Sequence, residues 1–188
     1  MNSYIALNKE SFSEGDRSIV PIRMEDRYLI MKWRNEQIFH LRQSKPLTNN
    51  DQDHYFNTTV AKLFGKEQPD QLLFSYLENG KCIGYGGLVH MNWTDKNAEI
   101  SFITDTAIQN EAYAFHMCTF LTLITKVAFE EISFHKLFTY AFDVRPYIYP
   151  ILEQSGFKRE AVLKEHCLFN GEFKDVIIHT KYNTDNNL

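Results

Sequence analysis

Apolar residues recur along this chain with two periods, one of about two residues and one of about 3.6, and the switches between them mark out the elements. Residues 1–17 are polar, end in Ser-Glu-Gly-Asp-Arg, and read as a loosely attached lead-in. SIVPIR at 18–23 predicts a short strand, with Pro21 placing it at an edge or near a strand start. The period then lengthens. Leu29, Ile30 and Trp33 fall at helical spacing behind Glu25 and Asp26, and Tyr55, Phe56, Val60, Leu63 and Phe64 do the same behind an Asn/Asp-rich start.

From residue 71 the pattern is strand-like. QLLFSYLE and KCIGYGGLVHMNW flank Asn79-Gly80, a pair suited to the positive φ angles of a tight hairpin turn. NAEISFIT at 97–104 predicts a further strand, Gln109 to Ile132 a long helix, and KLFTYAFD at 136–143 a buried strand. PYIYPILEQSG predicts a short helix, with Pro146 in its first turn, Pro150 shortening or kinking it, and Gly156 as its stop. A second hairpin closes the chain around Asn170-Gly171. This order predicts an α+β domain on a central sheet, over 18–183, with a polar tail at 184–188.

Composition narrows the function classes. The 188 residues are 44% hydrophobic and 14% aromatic, enough for a substantial core, and the net charge of −4 argues against nucleic acid as a partner. Cys82, Cys118 and Cys167 are too widely spaced for a zinc site, and the seven histidines show neither metal-ligand nor triad spacing, so no metal is expected. The first 25 residues hold no apolar stretch of signal length, and Lys, Thr and His interrupt the apolar windows around 115–129. A cytoplasmic protein with thiols in the reduced state and no membrane partner is expected.

Four stretches carry a resemblance: MKWRNE at 31–36, IGYGGL at 83–88, AEISFITDTAIQNEAYA at 98–114, and ILEQSGFKREAVLKEHCLFNGEFKDVIIHTKY at 151–182. Together they resemble the GNAT family of acyl-CoA N-acetyltransferases, and within it the branch of ribosomal-protein N-terminal and amino-sugar acetyltransferases. The resemblance implies a single GNAT-like domain whose mostly antiparallel twisted sheet is splayed at the middle and flanked by helices. It implies acetyl-CoA as co-substrate. The pantetheine arm would lie in the splay along Phe102 and Ile103, paired to backbone groups like an added strand. The pyrophosphate would rest on the amides that open the long helix, across Gln109, Asn110, Glu111, Ala112, Tyr113 and Ala114.

The branch usually reads Gln-Gly-Lys-Gly-Tyr-Ala in that loop. Gln109, Tyr113 and Ala114 agree. Asn110 replaces a glycine and tolerates left-handed angles, Ala112 brings a methyl toward the phosphate, and Glu111 replaces a cation. A weakened but surviving phosphate loop is expected. The family's pantetheine-binding Asn falls on Arg145, which can donate to a carbonyl or phosphate. Its general-acid tyrosine falls on Leu152, leaving Tyr149, with Tyr147 nearby, as the candidate donor to the thiolate.

Acetyl transfer needs a neutral amine, a route for its proton, and donors for the oxyanion and thiolate. Glu99, opening the cofactor strand, is the expected base and His90 the second candidate. Trp33, Arg34 and His90 are the expected acceptor contacts, with aromatics for a sugar ring and Arg for its phosphates. The function expected is direct acetyl transfer to a small amine, an amino sugar or sugar nucleotide, with a homodimer left open. Two alternatives stand beside it: a protein or peptide N-terminal acetyltransferase, and a non-catalytic GNAT-fold binding module.

Overall fold

In the computed structural model, which describes residues 3–184, the alternating segments form one eight-stranded sheet with helices on both faces. Its strands are β1 (Phe12–Glu14), β2 (Arg17–Pro21), β3 (Leu72–Glu78), β4 (Lys81–Asn92), β5 (Asn97–Thr104), β6 (Lys136–Phe142), β7 (Lys158–Phe169) and β8 (Glu172–Tyr182). They lie in the order β1-β2-β3-β4-β5-β6-β8-β7. All neighbours are antiparallel except β5 and β6, which run parallel. Both Asn-Gly turns have left-handed backbone at each central residue: Asn79 and Gly80 at φ +49° and +78°, Asn170 and Gly171 at +49° and +84°.

The helices are α1 (Arg27–Glu36), α2 (Asn49–Tyr55), α3 (Ala61–Leu63), α4 (Asn110–Lys126) and α5 (Ile148–Gln154). A capping box starts α2: Thr48 Oγ1 accepts from Asp51 N–H, and Asp51 accepts from Thr48 N–H. A π-helical turn (Phe56–Val60) joins α2 to α3, and another (Val127–Glu131) extends α4. Pro150 stands third in α5, in the first turn, where an N–H has no helical partner, so the helix accommodates it without losing a bond. Pro146 lies before the helix rather than in its first turn. The span 110–131 is long and apolar enough for a membrane segment by length and composition. Half of its apolar window is buried in the protein, as in a core helix.

The expected lead-in is instead part of the domain. Tyr4 is buried, stacks on Phe64 and pairs its hydroxyl with both backbone groups of Leu73, donating to the C=O at 2.7 Å and accepting from the N–H at 3.0 Å. Phe12 is also buried, and β1 adds an edge to β2. Two isolated aromatics in a polar run carry no periodicity, so the pattern could not show this. Of the expected tail, residues 185–188 lie outside the described residues. The three cysteines are free thiols.

One buried group ties stability to pH. His179 on β8 is fully buried, opposite Thr139 of β6, with its ring stacked on Tyr149 at 5.3 Å. Neither ring nitrogen nor Thr139 Oγ1 makes a hydrogen bond among the described residues. Glu153 lies 3.7 Å from Nε2, and Arg159, paired across from His179 on β7, also lowers its pKa. Burial holds the imidazole below its ordinary pKa against the pull of Glu153. The folded value is thus lower than the unfolded one, so this contribution is complete above about pH 6.5 and is lost as pH falls below it. Urea unfolding is expected to show a lower midpoint at pH 5.5 than at pH 7.5, with a smaller difference in His179→Gln. An equal difference in the variant would show that His179 is not the linked group.

Candidate active site

β5 and β6 pair over three residues, Asn97, Ala98 and Glu99 against Lys136, Leu137 and Phe138, and then part. The gap is a wedge of about 190 Å³ between residues 99–103 and 140–142, closed at the Glu99 end and open toward α4. The Asp105 N–H bond to Ile83 C=O, at 2.8 Å, fixes the alternation along β5. Ser101 and Ile103 turn their backbone groups to β4, and Ile100, Phe102 and Thr104 turn theirs into the wedge. Phe102 therefore faces the wedge with its backbone while its ring stacks on Phe120 of α4, centroids 4.0 Å apart. Gln37 donates to Thr104 C=O at 3.1 Å, so one acceptor at the mouth is occupied.

The wedge mouth adjoins a cavity of about 700 Å³ at the N-terminus of α4, and His40 and Arg145 line both spaces. Gln109 is the N-cap, with no side-chain cap bond, and Asn110 takes φ +56°, the left-handed conformation for which Asn is suited. The first-turn amides have no helical acceptors, and the positive end of the helix opens onto the cavity. Gln109, Asn110, Glu111, Tyr113 and Ala114 line the cavity. Ala112 does not. It is exposed on the other side of the helix, so its methyl does not meet the cavity as the sequence suggested.

Arg145 brings a guanidinium to the same cavity. No carboxylate among the described residues lies within ion-pair distance of it, and its charge is felt by His40 and Tyr113. Burial, reinforced by Arg145, pushes the His40 imidazole down to about 4, leaving it neutral at physiological pH. Burial raises the Tyr113 phenol against the opposing pull of Arg145. Tyr113 and Tyr147 meet edge to face at 5.8 Å, and Tyr147 is largely exposed, giving the cavity an aromatic wall.

Cross-strand pairs put Tyr85, Ile103, Ser101 and Glu99 on one face of the sheet. On that face Arg34 donates to Tyr85 Oη at 2.7 Å and to Gln43 at 3.3 Å, both neutral partners. A pocket of about 220 Å³ lies there between α1, α2 and β4, lined by Arg34, Asp51, Tyr55 and Tyr85 among others. His90 reaches Glu99 from β4, with Nδ1 2.8 Å from Oε2.

Two expected site residues are elsewhere. Trp33 is 1% exposed in the core and reaches no cavity, because α1 turns Trp33 inward and Arg34 toward the pocket. Tyr149 lines neither the wedge nor the α4 cavity: its hydroxyl donates to Asp143 at 2.8 Å and its ring is packed on His179. Its pKa is raised by burial and then by the Asp143 carboxylate, which holds the phenol proton away from both spaces. His40, Gln37 and Tyr85 were missed. His40 and Gln37 follow the last turn of α1, where no period operates; Tyr85, lodged between glycines in IGYGGL, was the one signal available.

The family model described as an acetyltransferase (GNAT) domain matches residues 19–178. No curated protein is similar in sequence to this chain. Among solved structures, a spermidine N-acetyltransferase from Vibrio cholerae in complex with CoA and spermine superposes with a TM-score of 0.77 at 17% identity, covering 90% of this chain and 97% of that one. A dodecameric structure of spermidine N-acetyltransferase from the same organism gives a TM-score of 0.73 at 18% identity, covering 90% and 95%. At these identities the likeness is one of fold.

Charge placement around the α4 cavity makes a testable pair of variants. Arg145→Ala is expected to weaken acetyl-CoA binding by about tenfold, the scale of one charge-assisted contact. Glu111→Gln is expected to tighten it by roughly fivefold through removal of one like-charge contact. Calorimetric titration reads both, and unchanged affinity in Arg145→Ala would remove it from the phosphate site.

Proposed function

The chain belongs to the GNAT acetyltransferase family, whose members use acetyl-CoA as co-substrate, and from that premise we propose that the wedge is its acetyl-transfer site, with an amino sugar or sugar nucleotide as acceptor. The observation that carries this reading is the parting of β5 and β6 after three pairs, which leaves backbone donors and acceptors for a pantetheine arm. With the diphosphate at the α4 N-terminus beside Arg145, the arm runs down β5 and brings the thioester toward Glu99 at the closed end. Glu99 then receives a proton from the acceptor ammonium, and the free amine attacks the thioester carbon. The thiolate, with an ordinary thiol pKa of about 8.5, needs modest help to leave, and no tyrosine is assigned to that task.

The acceptor enters on the Tyr85 face. Tyr55 and Tyr85 offer ring surfaces for a sugar, and Arg34, held only by neutral groups, keeps its charge for a phosphate. The pocket's small volume and the segment crossing the wedge favour a compact acceptor over a peptide. That segment is docked by Phe39 on Phe169 at 5.3 Å and by Arg42 over Phe142 and Phe169. A polyamine is the second reading. The similar structures act on spermidine, and the Phe142–Phe169 pair already accepts the cation of Arg42. The assembly proposed is a homodimer, for which Leu168 and Phe173, 51% and 65% exposed at the β7–β8 tip, offer apolar contact.

Thiol release from acetyl-CoA, measured over amino-sugar phosphates, nucleotide amino sugars, polyamines and peptides, tests the acceptor. Turnover is expected with the sugar phosphates and nucleotides, and activity confined to polyamines would replace the first reading by the second. Glu99→Gln is expected to lower kcat about a hundredfold. Undiminished turnover would exclude Glu99 as base.

A further inference from the structure

The bulge in β4 is filled by a residue other than the glycine its backbone favours. Between the pairs Val89↔Glu99 and Asn92↔Asn97, two residues, His90 and Met91, stand opposite the single Ala98. The left-handed first position of such a bulge suits glycine. Here it is His90, at φ +49°, a residue type that enters the left-handed region more readily than most but at a modest cost that glycine avoids. In an unbroken strand His90 would project from the face opposite Val89 and Glu99. The bulge re-aims the ring onto the Glu99 carboxylate, Nδ1 to Oε2 at 2.8 Å. Glu99 lines the closed end of the wedge with its side chain 20% exposed, while His90 is 77% exposed. An exposed ion pair contributes little stability, so the contact is a poor recompense for that cost if fold stability is its only purpose. The pair does make a continuous path from the wedge to bulk water.

We infer that His90 is a positioning residue and proton relay, holding the Glu99 carboxylate toward the wedge and passing the acceptor's proton to solvent. This rests on the reading of the wedge as the acetyl-transfer site. The acceptor arrives as R–NH₃⁺ and gives one proton to Glu99. The R–NH₂ nitrogen forms a bond to the thioester carbon, the C–S bond breaks, and the electron pair leaves on sulfur. The second amine proton neutralises the thiolate to CoA-SH, leaving R–NH–acetyl. Once Glu99 is protonated, the exposed ring shifts through water to its Nε2–H tautomer, Nδ1 takes the proton from Glu99, and Nε2 releases one to water. Each turnover thus frees one proton and restores both Glu99 and the Nδ1–H ring.

The test uses His90→Asn, which tolerates the left-handed backbone but cannot relay a proton, beside His90→Ala and Glu99→Gln. Expected are an unchanged thermal midpoint in His90→Asn and a fall in kcat of about tenfold with KM for acetyl-CoA unchanged. Imidazole added to the buffer restores the rate in both His90 variants and not in Glu99→Gln. An unchanged kcat, or a loss that imidazole does not restore, overturns the relay and leaves the transferase reading standing. No turnover by the wild-type protein on any acceptor overturns both.

Discussion

Three residues of parallel pairing, from Asn97 to Glu99 against Lys136 to Phe138, join the two halves of the sheet. Had the pairing continued to Thr104 and Phe142, the backbone groups of Ile100, Phe102 and Thr104 would be spent on the ladder and there would be no site. Because it stops, those groups must find water, a side chain or a ligand, since backbone donors and acceptors left alone are costly. One is already met by Gln37. The remainder have the spacing of a strand edge, which suits an extended molecule carrying amides. The halves stay in place because packing on both faces holds them. Phe102 stacks on Phe120 of α4, whose Tyr113 meets Tyr147 beside α5 on one side, and on the other Phe39 and Arg42 after α1 rest on Phe142 and Phe169.

The electrostatics of the mouth show how one contact replaces another. A phosphate loop with Glu111 in place of a cation repels the ligand that its helix amides attract. Arg145 comes from the loop before α5, distant in sequence, and restores a positive charge at the same cavity. The same charge, added to burial, keeps His40 neutral, so the cavity presents one fixed cation rather than two titrating ones. Helix dipole, guanidinium and aromatic wall together favour a nucleotide diphosphate over a simple anion.

The segment after α1 bounds the space beside Arg34 and crosses the wedge, which His40 and Leu41 line. Its base is fastened by Asn35, which bonds both backbone groups of Leu47 and accepts from Gln43, and its tip rests on the β7–β8 hairpin through Phe39 and Arg42. This crossing leaves a small pocket beside Arg34 in place of an open groove. It also links the segment beside this pocket to the hairpin, so the two halves of the sheet meet at a second place beyond the short β5–β6 ladder.

Local rules carried the reading a long way. Two Asn-Gly pairs announced hairpins because few residues accept two successive left-handed conformations. Asn110 was read as tolerating the same conformation in the phosphate loop and adopts it, and the order of elements led to the α+β sheet. The failures share a cause. Helical spacing placed Trp33 and Arg34 on one helix but not which of them met the core. The phosphate loop put Ala112 among its neighbours but not on the outer side of α4. The place of Tyr149 on a short helix does not reveal that Asp143 and His179 engage it. Tyr4 and Phe12 had no repeat to report them, and the His90 ring was aimed by a single extra residue in β4. Sequence determined what each segment became, because periodicity, caps and turns depend on residues a few positions apart. The tertiary structure decided which groups share a space, because register between strands, the face a helix buries and the path of a loop are set by contacts between residues far apart in the chain.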